Sequence, residues 1–546
     1  MHDTPVLIVG GGSVGLSLAA ELGWRGIACV LVERAETLNM HPRANAVANR
    51  TMEYYRRYGI DQAITDAGIP PDLPANYCYV TTLAGRLLHG INLPPFTELN
   101  KAAGPGGYAR EEHTWSPYLK TITGQHEVEK VLLRFVAACD CVTLKFSTEL
   151  VSFEQSPAGV SVRLRGADGQ AQALECAYLI ACDGGRSRVR HELDIGLEGR
   201  AELARFVSVY FRAPGFNDAH AFGHANIFFP LHRDHRGFLL NWDGGSTFTY
   251  HVILEDGQDW QSVDPKEAIQ GLLGQPIEVD VLSVQPWTAH ALVAERYRDG
   301  RVFLAGDAAH LFSPTGGFGM NTGVSDAVDL AWKVQACLDG WGGARLLDSY
   351  EVERKSIGLR NTMEAADCFD RLYAVMQDGD VIDADGAQGD AARARLKALI
   401  IAQDKLIVSS GTLLGYRYEG SGIIVNDGTP EPADDPRHYV AVARPGHRAP
   451  HVWLDDGTSL LDRFGQGFTL LVTGPVTTYP HDDVRALSSA AAALAMPLEV
   501  VVVEQPEVAA RYAARLILIR PDLMVAWRDD TLSRPAWEIL DVVRGA

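Results

Sequence analysis

A chain of 546 residues, 47% hydrophobic and 22% charged, is too long for one simple core and has the make-up of a globular protein of two or three domains. Its formal charge of -20 excludes nucleic acid as a partner, because a phosphate backbone needs a surplus of Lys and Arg on one face. The eight cysteines lack the repeated CxxC or His spacing of a zinc site, so no metal is expected and a reduced, cytoplasmic protein is. The start, MHDTPVLIVGGG, has no basic n-region, and no uncharged apolar run approaches the ~20 residues of a membrane span, so no membrane partner is expected.

Val6 to Val9 is an apolar run of strand length that feeds Gly10-Gly11-Gly12-Ser13-Val14-Gly15. LSLAAELGWRG then has a helical pattern closed by a glycine, and CVLVER reads as a second strand. Gly10, Gly12 and Gly15 fit GxGxxG: the first permits a tight turn, the second lets backbone approach a pyrophosphate, and the third lets helix pack close to strand. The anion sits at a helix N-terminus, where unpaired N–H groups favour it. Glu33 ends the second strand, placed to accept ribose hydroxyls and to repel a 2'-phosphate, which leaves FAD or NAD rather than NADP as the bound nucleotide.

Further along, HPRANAVANRTME occupies 41 to 53 and GQHEVEKVLLR 124 to 134. YLIACDGGRSRVRHELDI, 178 to 195, is an apolar strand followed by Asp183, Gly184, Gly185, Arg186, Ser187 and Arg188 and a helical stretch. The runs ARFVSVYFRA, ANIFFPL, GFLLNWDG and STFTYHVIL alternate and predict an antiparallel sheet. VFLAGDAAHLFSPTGGFGMN, 302 to 321, is a strand, Gly-Asp, a glycine-rich loop and a helix start, with helical patterns from 321 to 375. QDGDVIDADGAQGDAARAR is polar and acidic and reads as an exposed or mobile loop. From about residue 410, short strands such as FTLLVTG, PLEVVVVE and RLILIRPD indicate a separate α/β arrangement.

In this order, GxGxxG, DGxxSxVR and GDAAH with PTGGxGMN resemble the three fingerprints of class A FAD-dependent aromatic hydroxylases, of the para-hydroxybenzoate and phenol hydroxylase type. ARPGHRAPHVWL and IRPDLMVAWR resemble the thioredoxin-like C-terminal domain of phenol and polyketide hydroxylases. The resemblance implies an α/β fold: a Rossmann-like FAD-binding domain with an inserted antiparallel-sheet substrate domain, followed by a thioredoxin-like domain. It divides the chain into an FAD-binding domain at 1–75, 105–195 and 285–375, a substrate sheet at 76–104 and 196–284, a linker or mobile loop at 376–409, and the C-terminal domain at 410–546. With no cysteine after Cys368, that last domain cannot run dithiol exchange, and a structural role or a subunit interface, as in a homodimer, is expected.

Carried over by motif, the FAD-binding residues are Gly10, Gly12, Gly15, Glu33 and the adjoining Arg34, with Arg43 along the diphosphate and Gln125 at the ribityl or phosphate region. Asp183, Gly184 and Arg188 form the DG motif, linked in the family to FAD and the nicotinamide, and Asp307 would bind a ribityl hydroxyl. Gly316, Gly317, Gly319, Met320 and Asn321 would lie beside the flavin ring. For Arg188 a surface charge, and for Gln125 a polar cap, are the alternatives. Pro314 matches a position whose carbonyl faces substrate, and His310, His224 and His251 are candidate bases. Asn45 stands where relatives carry a His or other polar group, and it can hydrogen-bond a phenol without acting as a base. Asn226, Phe228 and Trp242 are the substrate candidates, with Tyr210 and Tyr250 also available and core packing as the alternative for each.

The implied activity is NAD(P)H-dependent monooxygenation, in which O2 and FAD hydroxylate a phenolic aromatic substrate through a flavin C4a-hydroperoxide, with NADH or NADPH as co-substrate. Two alternatives stay open: Baeyer–Villiger insertion or epoxidation of a polycyclic substrate, and a non-catalytic flavin-bearing protein that sequesters an aromatic compound.

Overall fold

A computed structural model describes residues 2–95, 97, 115–377, 381–402 and 409–546. The Thr4–Val9 strand is flanked by two parallel neighbours, Cys29–Val32 and Ala171–Ala181, with Leu7 opposite Val30 on one side and Leu179 on the other. Val6, Leu7 and Ile8 are wholly buried because helices cover both faces, as a parallel sheet requires. Val142–Lys145 extends this sheet beyond Cys29–Val32, and Val302–Leu304 runs parallel to Ala171–Ala181 on the other side. Three parallel strands therefore end at one edge, and the glycine turn, the DG motif and the GD motif follow their C-terminal ends.

A second sheet of eight strands stands beside this edge. Near one edge lies the long antiparallel pair Leu197–Arg212 and Asp280–Ala294, with His310–Leu311 outside Asp280–Ala294, and the sheet continues from Leu197–Arg212 through Thr247–Ile253, Gly237–Asn241, Ile227–Pro230, Tyr77–Val80 and Leu87–Ile91. Asp280–Ala294 stays paired to Leu197 at its far end, so the sheet runs past the boundary expected at residue 285. The boundary expected at 104/105 lies outside the described residues.

The stretch read as a mobile loop is corrected where it is described: Ala387–Ile401 is a helix. Ala392, Leu396 and Ile400 recur at helical spacing and pack on the apolar cluster containing Tyr77, Tyr79 and Phe229. Glycine and acidic residues upstream masked that apolar stripe.

The C-terminal sheet has Phe468–Thr473 parallel to Leu498–Val503 and antiparallel to Leu516–Ile519, with Val525–Asp529 at the edge. With helices His481–Ala493, Pro506–Tyr512 and Ala536–Val543, this is the thioredoxin-like arrangement. It docks on the first domain through a buried charge cluster, in which Arg520 pairs with Glu353 at 2.6 Å and Asp329 at 2.9 Å, and Lys333 pairs with Asp329 at 2.7 Å. Among the described residues no helix is long and apolar enough to cross a membrane.

Candidate active site

At the strand edge, Gly10 has φ +110°, and a Cβ there would collide with the Cys182 carbonyl, so only glycine fits between these strand ends. A Cβ on Gly15 would strike the Gly10 carbonyl, which is how the Ser13–Trp24 helix packs so close to the turn. Glu33 is held by two backbone donors: Gly11 N–H gives to Oε2 at 2.7 Å and Ala35 N–H to Oε1 at 2.8 Å. Its remaining lone pairs are free for hydroxyls.

Glu129, absent from the sequence reading, accepts from Ser13 N–H at 3.0 Å and from Gln125 Nε2 at 2.8 Å. Burial raises its carboxyl above the ordinary range, against those donors and Arg43. Its signal was one helical turn from Gln125 on the same face, but only the fold brings that face to the glycine turn.

Asp183 Oδ2 accepts the Arg188 N–H at 2.8 Å and so caps the short Arg188–Glu192 helix, while Oδ1 is buried with no partner among the described residues. Asp307 is exposed to the same cavity; the surrounding protein raises its carboxyl by desolvation, with His310 and Arg43 opposing. Beyond it, Gly316 and Gly317 have φ of +81° and +70°, and this loop leads into the Gly319–Leu338 helix.

These groups line one continuous cavity of about 760 Å³, within the usual range for bound ligands. Gly10, Gly12, Glu33, Arg34, Arg43, Gln125, Asp183, Gly184 and Arg188 line one part of it. Asn45, Asp307, Pro314, Gly316, Gly317, Gly319 and Met320 line the rest of the strand-edge wall. Asn45 Nδ2, a donor, is likewise buried without a partner among the described residues. Gly15 and Asn321 lie behind the wall: Gly15 packs helix on turn, and Asn321 clips the loop to residues 46 to 51.

Three substrate candidates and one catalytic candidate need correction. On Ile227–Pro230, Ile227 and Phe229 face the cavity, so strand alternation turns Phe228 the other way, into the core with Phe211 and Leu272. Asn226 is fully buried outside the wall beside Tyr77. Trp242 gives its Nε1–H to Thr249 Oγ1 at 2.7 Å and stands edge-on to His126, one layer back. His310 is fully buried behind Leu311 and bonds Asp326 at 2.7 Å; Asp326 also accepts the Gly306 N–H at 3.1 Å, so this pair braces the Gly-Asp turn.

Of the other candidates, Tyr250 is core, its hydroxyl given to the His235 carbonyl at 2.6 Å, and Tyr210 and His224 also stand off the wall. His251 does line the cavity. The residues that replace the earlier choices are Ile227, Phe229, Phe238, Leu240 and Trp287, joined by Tyr77 and Leu372. Trp287 gives its Nε1–H to His251 Nδ1 at 3.1 Å, so the His251 hydrogen sits on Nε2, which has no partner among the described residues. Burial lowers the His251 imidazole to about 3, which keeps it neutral.

Residues 3–365 match the model of an FAD binding domain, and 442–543 that of the aromatic-ring hydroxylase C-terminal domain. The chain belongs to the FAD-dependent aromatic-ring hydroxylases. Within that family it is 33% identical to 4-methyl-5-nitrocatechol 5-monooxygenase of Burkholderia sp., across 99% of this chain and 97% of the other. It is 31% identical to aklavinone 12-hydroxylase of Streptomyces purpurascens, across 99% and 98%. Among solved structures, the rebeccamycin biosynthetic enzyme RebC with reduced flavin superposes with a TM-score of 0.86 at 34% identity, covering 100% and 99%. Aklavinone-11 hydroxylase with FAD and aklavinone superposes at 0.83 with 30% identity, covering 100% of both chains.

The chain is thus an FAD-dependent monooxygenase, and its cavity fits the cofactor. FAD carries ribose hydroxyls that need acceptors, a diphosphate that needs cations or N–H groups, and a ring edge that needs donors. Glu33, the arginines 34 and 43, the unpartnered Asp183 Oδ1, Asp307 and the 316–320 loop supply that sequence of groups along one wall.

Proposed function

We propose that the protein hydroxylates a planar, fused-ring phenolic substrate using NAD(P)H and O2. The observation that carries this reading is the continuity of the cavity: the FAD-fitting edge and an apolar lining of Phe229, Phe238, Leu240 and Trp287 belong to one cavity. One relative acts, by its name, on aklavinone, which favours fused rings, and another on a nitrocatechol, a single ring, so the phenol is what the two names share.

In this reading Glu33 holds the ribose hydroxyls, Arg34 and Arg43 the diphosphate, Gln125 and Asp307 the ribityl chain, and the 316–320 backbone the ring edge. N–H groups at the start of Gly319–Leu338 favour negative charge there. When bound, FAD would supply the redox chemistry, passing two electrons from the nicotinamide to O2 so that one oxygen atom enters the ring and the other leaves as water. The protein orients the aromatic between the apolar wall and Pro314, and excludes water. Asn45 and His251 line the cavity, and neither is a base at neutral pH.

The test is to purify the flavoprotein and follow NADH and NADPH oxidation with hydroxyanthraquinones and nitrocatechols. One atom from labelled O2 should enter the product. Ring insertion of oxygen next to a carbonyl in place of ring hydroxylation would overturn the reading in favour of Baeyer–Villiger chemistry, and stimulated NAD(P)H oxidation without oxygenated product would overturn it altogether.

A further inference from the structure

Lys120 has no place in the functional assignment above, yet it lines the same cavity. It is the last residue before an isolated bridge that ties Thr121 to Val47 by paired backbone hydrogen bonds of 2.8 and 2.9 Å. The backbone on which it sits is therefore pinned to the segment that carries Asn45. Its Nζ lies 3.9 Å from where a Cβ on Gly317 would be, so the ammonium reaches the loop at the ring end. Cys368, on the Asp348–Gln377 helix, is the titratable group set against it, and Leu372, one helical turn further along the same face, belongs to the apolar end of the cavity. Lys120 thus stands at the junction between flavin-fitting loop and apolar wall.

No carboxylate among the described residues pairs with this ammonium, which is partly exposed to the cavity, whereas the fully buried Lys333 has two. An ammonium withdrawn from water without an anion is costly, and burial pulls Lys120 down to about 8. Among the described residues nothing supplies the balancing negative charge, and an anionic ligand in the cavity would.

We infer that Lys120 selects the substrate by pairing its ammonium with an ionised ring oxygen, so that the substrate class is an acidic phenol or hydroxyquinone bound as its anion. This rests on the aromatic-hydroxylase reading of the cavity. An ionised ring oxygen also raises electron density at the ortho and para carbons, so the same contact favours oxygen transfer.

The experiment uses the oxidised holoprotein and two probe pairs: 1,8-dihydroxyanthraquinone with its dimethyl ether, and 4-nitrocatechol with its dimethyl ether. Both hydroxyl probes change colour on ionisation. The wild type is expected to bind each hydroxyl probe with the spectrum of the anion and about tenfold or more tighter than its ether, as a charge-assisted hydrogen bond provides. Lys120→Met should abolish that preference and the anion spectrum while flavin content stays unchanged, and Lys120→Arg should keep both. The inference is overturned if Lys120→Met binds the probes as the wild type does, or if it loses flavin with probe binding intact. If the wild type binds hydroxyl probe and ether equally, the hydroxylase reading stands and the Lys120 inference falls. If it binds none of the four, both fall.

Discussion

Asn321 and Ala48 are joined by a buried hydrogen bond: the Asn321 Oδ1 accepts the Ala48 N–H at 2.8 Å. The same oxygen takes the Thr51 hydroxyl at 2.8 Å, and the amide nitrogen gives to the Gly317 carbonyl at 2.8 Å. One side chain therefore locks the ring-end loop to the segment carrying Arg43 and Asn45. Asn321→Ala leaves several buried backbone groups unpaired, at about 1–3 kcal/mol each before relaxation. The expected outcome is a lower Tm together with weaker FAD retention, read by thermal unfolding and by flavin fluorescence on dilution. Unchanged flavin affinity would remove Asn321 from the cofactor's support.

Asp307→Ala and Glu33→Gln separate cofactor from substrate. Each removes ionic acceptors that face the cavity, and a charge-assisted bond is worth about 1.5–3 kcal/mol, so FAD affinity should fall roughly 10- to 100-fold. Circular dichroism should show a folded chain in both. Full flavin occupancy at micromolar protein would count against either assignment.

Neighbouring phenylalanines should behave oppositely. Phe228 lies in the core behind the sheet, so Phe228→Ala should cost about 3–5 kcal/mol, with substrate affinity per folded molecule unchanged. Phe238 lines the cavity and stacks on His251 at 4.3 Å, so Phe238→Ala should weaken binding of fused-ring phenols more than it lowers Tm. Trp242→Ala should resemble the Phe228 variant. Denaturant midpoints alongside ligand titrations check all three.

Arg520 joins two domains. Replacing it with Met leaves Glu353 and Asp329 sharing Lys333 alone within a buried cluster, a loss of about 3–5 kcal/mol. Proteolysis should then cut near the start of the C-terminal domain while leaving the flavin domain resistant. Wild-type protease resistance in Arg520→Met would show that the cluster is not what holds the domains together.

Stability should fall on mild acidification. Burial lowers the imidazoles of His41, His251 and His451 to about 4, about 3 and about 3, with nearby cations adding for His41 and His451. Their folded values lie below the unfolded value of ~6.5, so the unfolded chain takes up protons first as pH drops. Each ring removes up to about 2 kcal/mol between pH ~6.5 and 5. Urea midpoints at these two pH values measure the loss, and His451→Asn should flatten the slope by one ring's share. A flat profile in the wild type would refute the neutral-histidine account.

Glycine turn, DG motif and GD motif were legible because each is local: a strand, a turn that only small residues allow, and a helix start. What local pattern could not provide is which face of the middle sheet looks inward. Strand period is 2, so Phe228 and Phe229 are equally good candidates until the neighbouring layers are known, and the choice of the former was the wrong face. His310 misled for the same reason, since its neighbour Leu311 points the opposite way into the cavity. Glu129 and Lys120 carry no motif at all.

Sequence alone determined a bound dinucleotide, because apolar runs, glycines and a strand-end carboxylate have the same meaning wherever they fold, and the resemblance of its three fingerprints to the aromatic hydroxylases implied FAD and the architecture. Tertiary structure decided what meets the substrate. A helix and a bridge more than a hundred residues beyond the first glycines deliver Gln125, Glu129 and Lys120 to a cavity wall, and only long-range packing sets that distance. That no described carboxylate pairs with Lys120 is visible only once its surroundings are in place, since a charge is costly through what stands around it and not through its neighbours in the chain.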